Sequence, residues 1–113
     1  MGDLRIKRVY DDPAPSDGYR ILVDRLWPRG VGKDDAALDE WMRDVAPSAD
    51  LRRWFGHDPA RFAEFAERYR AELSGSPALE ELRRRRREHD VVTLVYGAKD
   101  AEHNQAVVLR DLV

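Results

Sequence analysis

Val91-Val92-Thr93-Leu94-Val95-Tyr96 is an unbroken run of β-branched, apolar and aromatic residues, closed by Gly97-Ala98-Lys99-Asp100. The run is too short for a stable helix, and a strand without polar alternation needs cover on both faces. It reads as a central strand of a parallel or mixed sheet. From Ala101 to Val113 the pattern turns helical, with Ala106, Leu109 and Val113 on an apolar face broadened by Val107 and Leu112. Strand, short turn and helix in that order set the fold class: a single small α/β domain, its mostly parallel or mixed central sheet flanked by helices.

The flanking sequence supplies the other elements. Leu4 to Tyr10 carries partial alternation and stops at Asp11-Asp12-Pro13-Ala14-Pro15-Ser16-Asp17-Gly18, a first strand and its loop. Tyr19 to Leu26 has a central apolar run that predicts a second strand, broken by Trp27-Pro28-Arg29-Gly30. Over residues 34–45, Leu38, Trp41, Met42 and Val45 follow helical spacing, so a helix is expected, although the short length and the Ala46-Pro47 stop would also suit a strand. Ser48 is placed to cap a short helix ending at Gly56 in the left-handed conformation. Asp58-Pro59 and Ser76-Pro77 each pair a cap with a first-turn proline. The first opens a helix striped by Phe62, Phe65, Ala66, Tyr69 and Leu73, the second one packed through Leu79 and Leu82 and ending near His89.

With 113 residues, 42% of them apolar, the chain has the size of one domain spanning 1–113. Its 20 basic and 22 acidic residues nearly cancel, to a formal charge of -2, so any attraction for polyanions has to be local. There is no cysteine, which excludes disulfides, thiolate nucleophiles and cysteine-ligated metals. No apolar run is long enough to span a membrane, and Met1-Gly2-Asp3-Leu4-Arg5 lacks the apolar stretch of a secretory signal; a cytoplasmic protein is expected.

Two polar constellations come after the expected strands. Asp24-Arg25-Leu26-Trp27-Pro28-Arg29-Gly30 sets two guanidinium forks, suited to paired hydrogen bonds with phosphate or carboxylate, around a tryptophan able to stack on a ring. The structural reading of the same residues is a core tryptophan, an arginine paired with an acid and a turn glycine. Lys99 to Asn104 lies where a central strand hands over to a helix, and there first-turn amides and Lys99 would favour an anion. Asp100 reads first as the cap of that helix, and His103 as the candidate proton carrier beside it. His57-Asp58 is a weaker acid–base candidate at a helix junction, where capping explains Asp58. His57, His89 and His103 have no paired spacing, so no metal site is expected. Arg83 to Arg87 spreads around a helix beside Glu80, Glu81 and Glu88, a solvated face before it is a nucleic-acid patch. Trp41, Trp54, Phe55, Phe62, Phe65 and Tyr69 read as core before stacking platform.

Three separated motifs, Val23 to Gly30, Ala46 to Ser48 with Leu51 to Pro59, and Ala98-Lys99-Asp100 with His103-Asn104 after it, resemble the YeaO-like family of bacterial domains of unknown function. The resemblance runs from the first strand to the last helix and implies a small cytosolic α/β domain, with no activity to transfer. The resemblance extends to longer relatives in that superfamily with a cysteine near the end of the last strand followed by a Cys-His pair. Tyr96 stands near the first of those positions here, so thiol chemistry does not carry over.

The expected function is binding of a small anionic ligand by Arg25, Trp27, Arg29, Lys99 and Asn104 at the carboxyl ends of the strands. His103, Asp100 and His57 are the candidate catalytic groups, and no cofactor is specified. The rival readings are a nucleic-acid module built on Trp27 and the arginine-rich helix, and a homo-oligomeric interaction protein with an aromatic interface.

Overall fold

The computed structural model describes residues 2–113. Four strands, β1 (Asp3–Arg8), β2 (Tyr19–Leu22), β3 (Glu40–Trp41) and β4 (Val91–Tyr96), form one sheet in the order β1-β4-β2-β3, and every neighbouring pair is parallel. The helices are α1 (Lys33–Ala36), α2 (Ala49–Phe55), α3 (Phe62–Leu73), α4 (Pro77–Glu88) and α5 (Gln105–Leu112). The architecture is the α/β class that the sequence leads one to expect, and the sheet is parallel throughout.

β4 lies between β1 and β2, with Leu94 opposite Ile6 on one side and Ile21 on the other. Alternation divides its side chains between two layers. Val92, Leu94 and Tyr96, with Ile21 and Val23, enter the main core beneath α2, α3, α4 and α5, where Phe55, Phe65, Tyr69, Leu82 and Leu109 are buried. Val95 and Leu22 point the other way, into a smaller cluster with Val9 and Ala36 that is covered by Trp27, Val31, Leu38 and Trp41. The unbroken apolar run of β4 is thus explained by cover on both faces, from helices on one side and from an irregular segment on the other.

The irregular cover leaves room for charge. Arg20, on the same face as Leu22, is 4% exposed, pairs with Asp17 at 2.6 Å and donates to the carbonyls of Ala36 and Ala37. Lys7 reaches the same carboxylate at 3.1 Å, and the Thr93 hydroxyl donates to the Asp17 carbonyl. Burial pushes the Asp17 carboxyl up, but the Ala14 N–H, Lys7 and Arg20 outweigh it and hold the group below the ordinary carboxylate value.

The local signals at the helix starts hold. Ser48 accepts from the Leu51 N–H, and its own N–H and hydroxyl donate to Glu72, tying α2 to α3. Gly56 closes α2 at φ 54°, Asp58 caps the turn Pro59–Arg61 that leads into α3, and Ser76 caps α4. Two expectations are corrected. Residues 34–45 are not one helix: α1 ends when Ala37 turns left-handed (φ 49°), and β3 and a turn at Arg43–Val45 come next. Backbone pairing with β2 outweighs the local periodicity, as Asp39 donates its N–H to the Arg20 carbonyl while its carboxylate accepts from the Arg20 N–H. The four residues that shared a helical stripe are then split, Met42 and Val45 into the main core, Leu38 and Trp41 into the smaller cluster. The last helix begins at Gln105 instead of Ala101, with Asn104 as its cap in place of Asp100.

Among the described residues no helix is long and apolar enough to cross a membrane.

Candidate functional site

Because all four strands run the same way, the segments that leave them open at one edge of the sheet. There the residues after β2, the amino-terminal part of α5 and the end of α2 enclose a cavity of about 370 Å³. Its walls are apolar, from Phe55, Phe65, Trp27, Pro28 and Pro47, and its ionisable lining includes Asp24, Arg25, Arg29, Arg52 and His57. Such a combination of apolar wall and few polar groups is the usual form of a small-molecule pocket.

Asp24 is the acid of this lining. Its Oδ2 accepts from the Gly97 N–H at 2.9 Å and its Oδ1 from the Gln105 side-chain amide. The approach to Gly97 needs a residue without a side chain, since a Cβ there would lie 2.8 Å from Oδ2 and 3.5 Å from the Pro28 Cβ. Burial pushes the Asp24 carboxyl up to about 6, against the Gly97 N–H, the Gln105 amide and the positive charge of Arg52, which favour the ionised form. A carboxyl so placed exchanges its proton within the physiological range.

The three arginines differ in what holds them. Arg25 donates Nε to the Pro47 carbonyl and Nη2 to the Ala46 carbonyl, both at 3.1 Å, so part of its fork is spent on bracing the chain ahead of α2. This replaces the pairing with an acid that its structural reading suggests. Arg29 is exposed at the rim, where the hydroxyl of Tyr10 donates to its carbonyl at 2.8 Å. Arg52, half-buried on α2, makes no side-chain hydrogen bond or ion pair among the described residues, although its charge acts on Asp24. A guanidinium of this kind retains all its donors for a ligand.

Trp27 is half-buried and serves mainly as structure. Its Nε1 donates to the Val31 carbonyl at 2.7 Å, and its ring meets Trp41 edge to face, with centroids 5.4 Å apart. In the main core, Tyr69 is fully buried and donates its hydroxyl to the Val45 carbonyl, with burial holding the phenol firmly protonated.

The second constellation is divided. Asn104 lines the cavity but is 1% exposed, and its amide is committed to the backbone: Oδ1 accepts from the Ala106 and Val107 N–H groups, and Nδ2 donates to the Asp100 carbonyl. The first-turn amides expected to face an anion are therefore already capped. Lys99 is exposed and, like Asp100 and His103, is not among the lining residues. Asp100 instead organises its own turn, accepting from the Glu102 and His103 N–H groups and meeting His103 Nδ1 at 2.8 Å. Those contacts hold the Asp100 carboxyl below its ordinary value. The His103 ring packs edge to face on Phe62, at 5.2 Å. His57 is exposed at the cavity rim with φ 56°, a conformation uncommon for a residue with a side chain.

Sequence reasoning missed Arg52 and Gln105 and gave Asp24 no role of its own. Asp24 carries a readable signal, a charged residue directly after the buried run Ile21-Leu22-Val23. Arg52 and Gln105 carry none, because only packing decides which of the many charged helical residues turns inward.

The arginine run on α4 is largely occupied. Arg83 pairs with Glu80, Arg84 with Glu81, and Arg85 with Glu40, Glu81 and Glu88, while Arg86 donates to the Gly2 carbonyl. Phe55, Phe65 and Tyr69 of the aromatic set are buried core. Among the described residues no group of three or more His, Cys, Asp or Glu side chains is placed to hold a metal ion.

The model of a family described as the inactive DUF488-N3 subclade matches residues 3–113. The chain is 48% identical over 110 residues to the uncharacterized protein Rv3073c of Mycobacterium tuberculosis, a match covering 97% of this chain and 92% of that protein. It is 45% identical over 109 residues to the uncharacterized protein YeaO of Escherichia coli K12, covering 96% of this chain and 95% of that one. No solved structure matches the chain. The chain belongs to the inactive DUF488-N3 subclade, and its resemblance to the YeaO-like domains is thereby established.

Proposed function

We propose that this member of the inactive DUF488-N3 subclade binds a small anionic ligand, bearing a phosphate or carboxylate, in the cavity at the carboxyl ends of β2 and β4. The observation that carries the reading is the charge of the lining. Arg25, Arg29 and Arg52 meet a single carboxyl, Asp24, in a chain whose overall charge is -2. Arg52 is the principal anchor, because its fork faces the cavity with no internal partner. Arg25 contributes the donors left over from Ala46 and Pro47, and Phe55, Phe65 and Pro28 give an apolar body somewhere to rest.

Holding a ligand fits better than transforming one. The family is described as inactive, and the chain has no cysteine to supply a thiolate. Of the candidate catalytic groups, His103 and Asp100 are engaged with each other outside the cavity lining, which leaves His57 alone at the rim.

Thermal-shift measurements with a panel of phosphates, nucleotides and carboxylates test the reading. A true ligand at about 100 times its Kd stabilises the fold by about 2.7 kcal/mol, and Arg52→Ala removes that gain without first breaking an internal bond. If no member of the panel stabilises the wild-type protein, or if the gain is the same in Arg52→Ala, the cavity is not an anion site.

A further inference from the structure

We propose that the cavity takes up its anion together with a proton, and that Asp24 receives it, so that the site is a proton-coupled anion site. The inference rests on the anion-binding reading above and adds its regulation. Among the described residues Asp24 is the only carboxylate in the lining, which it shares with Arg52, and no hydrogen bond joins the two. An anion held by Arg52 therefore enters the field of that carboxylate. The apolar wall of Phe55, Phe65 and Pro28 lowers the dielectric on one side of the pair, so the repulsion is stronger than between two charges wholly in water. Protonation removes the repulsion. It also converts an oxygen of Asp24 from an acceptor into a hydrogen-bond donor for the anion, since each oxygen accepts only one bond from Gly97 or Gln105 and retains a lone pair.

The neighbouring groups leave Asp24 as the receiver. Arg25 from its own segment is bound to carbonyls, Arg29 stands at the rim, Arg52 comes from α2 and remains charged, and Gln105 from α5 does not titrate. Tyr69 from α3 keeps its proton on the Val45 carbonyl. His57, beyond α2, is the imidazole of the lining and is exposed, whereas Asp24 is half-buried. Burial already places the Asp24 carboxyl at about 6, so near neutral pH one proton is gained at small cost.

The probes are benzenesulfonate and benzoate, each carrying one charge between about pH 5.5 and 8. Isothermal titration calorimetry should show affinity rising about tenfold per unit as pH falls from about 8 to 7, bending as pH approaches about 6 and levelling below. Heats in buffers of different ionisation enthalpy should give an uptake approaching one proton per ligand at about pH 7.5. Asp24→Asn should bind with the high affinity of the acid form at every pH, and His57→Gln should keep the wild-type slope. Should Asp24→Asn not fold, the carboxyl carbon of Asp24 tracked by NMR in the wild-type protein should titrate at higher pH with the probe bound. Affinity that is flat with pH overturns the inference and leaves the anion site standing, as does a slope kept in Asp24→Asn and lost in His57→Gln. Absence of binding by both probes at every pH overturns the inference and counts against the anion site as well.

Discussion

Without any ligand, Asp24 should make the fold less stable as pH rises through about 6. Burial takes its carboxyl from 3.8 up to about 6, so the folded state holds the proton more tightly than the unfolded chain. The stability this contributes is fully present below the unfolded value and is lost as pH rises through about 6. The whole gap corresponds to about 3 kcal/mol, and the part falling between pH 5 and 7.5 to about 1.4 kcal/mol. Asp17 and Asp100 act with the opposite sign. Their depressed values stabilise the fold above the unfolded carboxylate range, a contribution lost only as pH falls through still lower values, outside this window. Asp24→Asn replaces the titrating group by a fixed amide, so the difference between the two proteins cancels the other groups to first order. In a domain of this size about 1.4 kcal/mol is worth about 6 °C in Tm. Scanning calorimetry at several pH values should therefore show wild type losing about 6 °C relative to Asp24→Asn between pH 5 and 7.5. Parallel profiles, or a difference of the opposite sign, would refute the idea that desolvation dominates at this carboxyl.

Gly97→Ala should destabilise the fold by about 1–3 kcal/mol in urea denaturation, because its Cβ would lie 2.8 Å from Asp24 Oδ2 and separate that oxygen from the residue 97 N–H. An unchanged midpoint would show that the carboxylate can move aside freely. Arg20→Met should cost about 3 kcal/mol, since it takes from Asp17, 6% exposed, its closest cation, leaving it Lys7 and the Ala14 N–H, and strips donors from the Ala36 and Ala37 carbonyls. A loss under about 1 kcal/mol in the same assay would mean that Lys7 and the Ala14 N–H suffice to hold the Asp17 carboxylate.

The features legible in the sequence were those that local physics decides. The apolar run of β4 demands cover, and Ser48, Asp58 and Ser76 cap the helical turns after them because a short side-chain oxygen satisfies free amides wherever a helix starts. Residues 34–45 were not legible for the converse reason. β3 exists through bonds to β2, a partner distant in sequence, and Ala37 carries no mark of its left-handed turn. Asp100 and Asn104 are both good caps, and only the start of α5 at Gln105 decides between them. The site shows the same division. Arg25, Arg29 and His57 lie in loops and turns beside strand and helix ends, where polar residues invite attention, whereas Arg52 and Gln105 are distinguished from their helical neighbours only by the direction in which they face. Lys99 looked suited to a ligand by type and turns outward.

The strand order has a consequence for how the molecule comes into being. β1 has no partner except β4, and β2 has β4 on one side and two residues of β3 on the other. During synthesis the first two strands therefore emerge long before the segment that joins them. The sheet can close only after residue 96 has left the ribosome, so β1 and β2 keep unpaired edges until β4 is made.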